Sequence, residues 1–433
     1  MKAYFYTFGC KVNQYETENI KQNFIIKGFE VTENIAEADF CIINSCTVTS
    51  MSDKKNRQLI HKIKKENPAC VLILTGCFPQ AFEAEAEKMS EIDIITGSSN
   101  KNEIPKLVEE FLLHHQRIIS ITPHSKDEKF ESMKNTEYAD KTRAYIKIQD
   151  GCDQYCTYCI IPYARGHIRS KPLEELKNEI ICLAKSGHKE IILVGINLFC
   201  YGKDLGIRVI DAIELACSID GIERVRLGSL EPELISDEDI QRLSKLPKLC
   251  PQFHLSLQSG CDKTLKAMNR KYNSSEYFEI VQKLRETFEN CAITTDIMVG
   301  FPEETEEDFL ESLEFVKKVG FSDAHIFPYS IREGTIAAKR SGQLSKAEKD
   351  QRAKRMSEII EISKINFLTS QIGKVFPVLF EAENSDKFHQ GYAPNYTLMK
   401  INAKISDKSL RRMIFYVKIV GLENDYCIGE IVN

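Results

Sequence analysis

Cys152, Cys156 and Cys159 lie within the segment GCDQYCTYC, spaced CxxxCxxC, with Tyr158 just before the last cysteine. Three thiolates on one loop can hold three irons of a [4Fe–4S] cube and leave the fourth without a protein ligand. A small molecule with an amino and a carboxylate group can chelate that open corner. The competing reading is a structural zinc site, which needs four closed ligands, usually as two Cys or His pairs; His167, the nearest candidate for a fourth, fits no such pairing. Three more cysteines are far apart in the chain but alike in setting: Cys10 in TFGCKVNQYETE, Cys46 in INSCTVT and Cys77 in LTGCFPQ each follow an apolar run. Any one alone reads as a buried apolar thiol. Their shared placement reverses that reading. The other nine, Cys41, Cys70, Cys182, Cys200, Cys217, Cys250, Cys261, Cys291 and Cys427, have no cluster spacing and read as packing.

The elements that must position these thiols are legible as alternations. AYFYTF, FCIINS, VLILTG and IDIITG, each followed by a helix-like stretch, predict a parallel α/β domain of Rossmann or flavodoxin type over residues 1–120. In an open parallel sheet the carboxyl ends of the strands form one crevice, so Cys10, Cys46 and Cys77 should converge there. Residues 114–141 are polar, lack a sustained period and read as a linker. Over 138–370 a second alternation begins, with AYIKIQ, EIILVG, RVRLGS, FHLSLQ, AITTDIMVG and SDAHIFPYS as strands. Six βα units in succession predict a partial (βα)6 barrel with its chemistry at the strand carboxyl ends. Ser345 and Glu348 form a capping box that opens a long helix to about Gln371. Beyond it, over 371–433, five short β-like runs predict a small OB-like β-barrel.

The chain has 433 residues, enough for two or three domains, and its 42% apolar and 28% charged residues are ordinary for a globular protein. A net charge of −5 argues against a wholly basic nucleic-acid-binding surface. Two basic stretches remain: Arg165, His167, Arg169 and Lys171 after the cysteine loop, and residues 339–355, which include Arg352 and Arg355. Each is either a solvated face or a phosphate contact. No apolar run approaches the ~18 residues of a membrane span, and residues 1–9 do not resemble a secretory signal, so a cytoplasmic protein with reduced thiols and no membrane partner is expected.

On these residues the chain resembles the radical S-adenosylmethionine methylthiotransferases over essentially its whole length: an N-terminal domain with three dispersed cysteines, a radical core and a C-terminal TRAM module. The resemblance implies that Cys10, Cys46 and Cys77 hold an auxiliary [4Fe–4S] cluster beside the one on Cys152, Cys156 and Cys159, making two clusters. One electron would cleave S-adenosylmethionine to a 5′-deoxyadenosyl radical. A second S-adenosylmethionine would methylate a sulfur on the auxiliary cluster, and the methylthio group would replace hydrogen on an unreactive carbon. Gly195 and Asn197 after the second barrel strand, with Ser229, Gln258 and Asp296 at later strand ends, match cofactor-binding positions. Gly195 would allow close backbone approach, and Asn197 offers donor and acceptor.

The resemblance also implies a tRNA substrate, a TRAM module (QGYAPNYTLMKI, with Tyr392 and Tyr396) that binds it, and an external electron donor, flavodoxin-like or ferredoxin-like. GCKVNQYETE resembles the subgroup acting on N6-threonylcarbamoyladenosine at position 37 of tRNA. Isopentenyladenosine in tRNA and an aspartate on a ribosomal protein are the substrates of the sister subgroups, and a noncatalytic iron–sulfur RNA-binding protein is the alternative of another class. Arg165 and Arg169 are the expected substrate contacts, Arg165 for the carboxylate of the threonylcarbamoyl group. Removal of 371–433 is expected to weaken tRNA binding far more than cofactor cleavage.

Overall fold

FCIINS and VLILTG are continuous apolar runs because both faces of a parallel sheet are covered. They form β3 (Phe40–Ser45) and β4 (Val71–Gly76). With β1 (Lys2–Thr7), β2 (Glu30–Val31), β5 (Ile94–Thr96) and β6 (Ile118–Ser120) they make a six-stranded parallel sheet in the order β2-β1-β3-β4-β5-β6, and a separate apolar cluster packs on each face. This is a computed structural model, and it describes residues 1–138, 141–381, 388–402 and 409–432. Strand order reverses between β1 and β3, so the crevice expected of such sheets opens beside Cys10 and Cys46. Helix α1 (Lys11–Ile26) starts directly after Cys10.

The second alternation gives β7 (Ala144–Lys147), β8 (Gln149–Asp150), β9 (Arg169–Ser170), β10 (Glu190–Val194) and β11 (Arg224–Leu227), then β12 (Ser229–Leu230), β13 (Gln252–Leu255), β14 (Ala292–Val299) and β15 (Asp323–Pro328). β7, β10 and β11 form one parallel sheet and β12 to β15 another, while β8 and β9 pair antiparallel. The chain passes from one parallel sheet to the other at Gly228. β7 and β15 are free edges, so the barrel is partial, as its six units suggest.

The expected linker is a strap. Its first part is β6, and beyond that Met133 O accepts bonds from Tyr15 Oη and Lys171 Nζ, both at 2.7 Å, while Asn135 donates to Tyr15 O at 3.0 Å. The stretch has no period because side chains of both neighbouring domains, not its own ladder, satisfy its backbone.

The C-terminal strands β16 (Val375–Phe380), β17 (Phe388–Tyr392), β18 (Leu398–Asn402), β19 (Ile414–Glu423) and β20 (Tyr426–Ile431) close into a barrel. It is docked under the partial barrel. Arg224 donates to Tyr392 O (3.0 Å) and Arg226 to Pro394 O (2.9 Å), with Glu190 buried against both guanidinium groups. Truncation at residue 371 would leave Arg224 and Arg226 with Glu190 but without their carbonyl acceptors in the barrel, so the cut is expected to perturb the partial barrel as well as RNA binding. In the basic run 339–355 the two arginines singled out are taken up by the fold, while Lys339, Lys346 and Lys354 are exposed. Arg352 is buried against Glu304 at 2.6 Å, and Arg355 pairs with Glu306 at 2.6 Å. Among the described residues no helix is long and apolar enough to cross a membrane.

One buried histidine makes the docking pH-sensitive. His188 Nε2 lies 3.3 Å from the Tyr138 N–H and 3.2 Å from Arg412, and burial and that guanidinium push its pKa down to about 4. As pH falls from about 6.5 to about 4, the unfolded chain binds a proton that the folded one refuses, so stability is lost through that window. His188→Asn should remove on the order of 2 kcal/mol of this acid sensitivity, screening allowed for. Urea midpoints at neutral and acid pH would read it.

Candidate functional site

Cys10 is the N-cap of α1, while Cys46 and Cys77 directly follow β3 and β4, neighbours in the sheet. Gly9 has φ +101°, and a Cβ there would lie 2.9 Å from Cys46 Sγ, so only glycine lets the β1 loop close over this thiol. The three sulfurs are near enough for their charges to interact. Burial pushes the Cys46 thiol up to about 12, with the thiols of Cys77 and Cys10 adding to the rise.

The second triad sits on a loop bracketed by β8 and β9. Cys152 N–H donates to Gly166 O at 3.0 Å, and Thr157 is held by Met268 O and Ala267 O at 3.0 and 2.9 Å. Burial pushes the Cys152 thiol up to about 12 and raises Cys159 further, with Cys156 contributing to both. These rises reflect the cost of burying a bare thiolate; a bound cation reverses them by holding the thiolate.

Each triad has a guanidinium N–H aimed at one sulfur. Arg165 Nε is 3.2 Å from Cys77 Sγ, and Arg270 Nη1 is 3.3 Å from Cys156 Sγ. Arg270 also pairs with Glu231 and donates to Tyr272 Oη at 3.1 Å. Arg165 joins a buried network. It pairs with Glu16, lies 3.3 Å from Asp150 and donates to Asn13 Oδ1 at 2.6 Å, while Lys147 and Lys101 reach Glu16 at 3.0 and 3.3 Å. Burial opposes the charge on Glu16, but Arg165, Lys101 and Lys147 overcome it and hold that carboxyl below its usual range.

Arg165 is therefore not the exposed contact the sequence suggested. It has no solvent exposure and its fork is fully used by protein groups. Arg169 is buried too, against His167 O at 3.0 Å and Glu128 at 3.4 Å. Neither stands where a phosphate or substrate carboxylate would meet it.

Three of the five expected strand-end residues come together. Gly195, Ser229 and Asp296 line a cavity of about 670 Å³ with Cys10, Lys11, Val12, His254 and His325, and Tyr392 and Tyr396 of the C-terminal barrel close it from the other end. Asp296 lies 3.4 Å from His254 Nε2; burial opposes its charge, but the histidine holds its carboxyl below the usual range. Asn197 and Gln258 lie outside that lining, each buried beside it. Asn197 Nδ2 is 4.0 Å from Cys152 Sγ, and its N–H donates to Gln149 Oε1 at 2.8 Å. That glutamine also donates to Gly151 O at 2.7 Å and fills the space above Gly195, where a Cβ would approach it to 2.8 Å. Gln258 is held at φ +65° between Asp296 O and the Met298 N–H, both 2.9 Å away. Backbone strain of this kind persists where the surroundings fix it and commonly marks a binding position. Asn197 Oδ1, Gln258 Oε1 and Glu233 Oε2 are buried with no hydrogen-bond partner among the described residues, acceptors that an amino group or a ribose would satisfy.

Sequence reasoning missed Glu16, Lys101, Lys147, Asp150, Gln149 and Arg270. Two signals were available. Asn13, Glu16 and Ile20 share one face of α1, and Lys147 and Gln149 interrupt an otherwise apolar strand. Polar residues on a core-facing side need partners.

Comparison with known proteins bears on this arrangement. The family described as Radical SAM superfamily matches residues 146–316, and Uncharacterized protein family UPF0004 matches 2–97. The threonylcarbamoyladenosine tRNA methylthiotransferase MtaB of Aquifex aeolicus is 37% identical over 384 residues, covering 89% of this chain and 94% of its own. MtaB of Bacillus subtilis is 35% identical, covering 99% and 96%. A tRNA-2-methylthio-N(6)-dimethylallyladenosine synthase from Thermoanaerobacter sp. is 36% identical, covering 99% and 92%. Among solved structures, the radical S-adenosylmethionine methyltransferase TsrM of Kitasatospora setae shares the fold at a TM-score of 0.57 and 11% identity, covering 78% of this chain and 74% of that one.

Proposed function

Because this chain belongs to the radical S-adenosylmethionine tRNA methylthiotransferases, and so uses a [4Fe–4S] cluster and S-adenosylmethionine, we propose that it holds two such clusters and places a methylthio group on C2 of N6-threonylcarbamoyladenosine at position 37 of tRNA. The observation that carries the reading is the shared cavity: Cys10 of one triad and Gly195, Ser229 and Asp296 of the other domain line the same space. A sulfur at the N-terminal triad would thus face the carbon that loses hydrogen.

Cys152, Cys156 and Cys159 would hold the radical cluster, and Cys10, Cys46 and Cys77 the auxiliary one. The donor sets fit: each is three thiols with one guanidinium N–H on a sulfur, the kind of hydrogen bond that tunes such clusters. Among the described residues no three His, Cys, Asp or Glu side chains are grouped to hold a single metal ion, and a four-iron cube is wider than one ion. When bound, the clusters and S-adenosylmethionine supply the electron, the hydrogen-abstracting radical and the sulfur. The chain's own residues bind, orient and exclude water. Asn197, Gln258 and Glu233 offer free acceptors to the cofactor, and Asp296 with His254 lines the same cavity as Gly195 and Cys10. A flavodoxin-like or ferredoxin-like donor would deliver the electrons.

MtaB relatives at 37% and 35% identity favour the threonylcarbamoyl substrate. The test is nucleoside analysis of tRNA from cells with and without the protein. Loss of 2-methylthio-N6-threonylcarbamoyladenosine in the deletion supports the reading; loss of the 2-methylthio dimethylallyl nucleoside instead overturns it. Gln258→Ala should raise the KM for S-adenosylmethionine about tenfold, the worth of one or two hydrogen bonds to a charged group, while iron content stays unchanged.

A further inference from the structure

The burial of Arg165 removes the cation expected to meet the substrate's carboxylate, and the cavity offers another. Its lining includes four groups that carry or can take up positive charge: Lys11, His254, His325 and Lys364. Lys364 is paired with Asp323 at 3.3 Å and Asp425 at 3.9 Å, and His254 with Asp296 at 3.4 Å. His325 lies beside His254, ring centroids 6.3 Å apart, and shares its Asp296. Lys11 makes no ion pair among the described residues, although it is exposed to the cavity and directly follows Cys10. Arg226 and Arg143, close enough to repel it, are themselves ion-paired, Arg226 with the Glu190 it shares with Arg224 and Arg143 with Glu381. Asp296 and Glu190 act on Lys11 only from beyond ion-pair distance and are engaged by His254 and by Arg224 and Arg226, so the cavity wall beside the N-terminal triad presents an ammonium with no ion-pair partner among the described residues.

Covalent chemistry narrows the anion. In adenine, C2 and C6 flank N1, so a substituent on N6 leaves from the same pyrimidine edge that carries C2. If C2 is presented to the sulfur at Cys10, a chain on N6 passes within a lysine's reach of that sulfur. A threonylcarbamoyl chain ends in a carboxylate; an isopentenyl chain has no charge. We propose that Lys11 binds the carboxylate of the N6-threonylcarbamoyl group and is the specificity-determining residue of this enzyme, an assignment that rests on the substrate reading above. The pairing works in both directions. An apolar substituent would leave the ammonium desolvated and unpaired, and sites built around a polar partner reject analogues lacking it more strongly than apolar pockets reject an added group.

The other carboxylate that enters the cavity is that of S-adenosylmethionine, and the experiment separates the two. Reconstituted wild type, Lys11→Met and Lys11→Arg are compared on anticodon stem-loop RNAs carrying threonylcarbamoyladenosine, its methyl ester or isopentenyladenosine. Readouts are RNA affinity, product formation, KM for S-adenosylmethionine and iron per chain. Wild type is expected to prefer the acid over the ester by about 100-fold, the worth of a charged hydrogen-bonded pair. Lys11→Met should bring the acid down to the level of the ester in both affinity and turnover, with the ester rate, the cofactor KM and the iron content unchanged; Lys11→Arg should recover part of the preference. An acid-to-ester ratio in Lys11→Met equal to that of wild type overturns the assignment while leaving the substrate reading intact. A raised KM for S-adenosylmethionine with that same unchanged ratio gives Lys11 to the cofactor instead. Wild type inactive on the acid but active on isopentenyladenosine overturns both.

Discussion

Cys156→Ala is expected to lower iron in the anaerobically reconstituted protein from about eight to about four per chain, and to abolish cleavage of S-adenosylmethionine. Cys46→Ala should remove a similar amount of iron yet leave some unproductive cleavage. The asymmetry follows from the two settings. Cys156 shares its loop with Cys152, whose sulfur lies 4.0 Å from Asn197 Nδ2 beside the acceptors offered to the cofactor, whereas Cys46 is buried just beyond β3 in the other domain. A doubly substituted chain should hold almost no iron. Iron analysis with a parallel assay for 5′-deoxyadenosine checks this. Stoichiometric zinc, or an iron content untouched by Cys46→Ala, would refute the two-cluster arrangement.

Arg165→Met should be the most damaging change outside the cysteines, at about 3–5 kcal/mol, because it leaves partnered buried charges uncompensated. Glu16 and Asp150 would lose their shared guanidinium, Asn13 Oδ1 its donor and Cys77 Sγ its N–H, all with little or no access to water. The contacts run between domains, so the loss should loosen the N-terminal sheet from the partial barrel as well as lower the urea midpoint. Arg165→Lys keeps the charge but cannot span Glu16, Asn13 and Cys77 at once, and should fall between. A midpoint for Arg165→Met equal to that of wild type would show that the network does not hold the domains together. A companion Glu16→Gln variant tests the same contact from the other side.

Much of this organisation is written locally. β3 and β4 coincide with FCIINS and VLILTG because a strand buried on both faces is an unbroken apolar run, and the six cysteines stand at strand ends or on one short loop. What escaped reading depends on partners distant in sequence. ARGHIRS looks like a surface patch until Glu16, 149 residues away, is brought against Arg165. Arg270 sits in a plain polar stretch, and only folding carries it to Cys156, 114 residues distant. The strap 121–138 has no period since its bonds go to other elements, and Arg224 and Arg226 gave no sign that they anchor the C-terminal barrel. Lys11 was legible as a residue of the GCKVN segment, but its place on the cavity wall required the fold.

The most direct test of the central claim is mass spectrometry of nucleosides from tRNA incubated anaerobically with the reconstituted protein, S-adenosylmethionine, reductant and sulfide. The account predicts conversion of N6-threonylcarbamoyladenosine to its 2-methylthio derivative, with 5′-deoxyadenosine and S-adenosylhomocysteine formed alongside. Conversion of isopentenyladenosine with no reaction on threonylcarbamoyladenosine would contradict it.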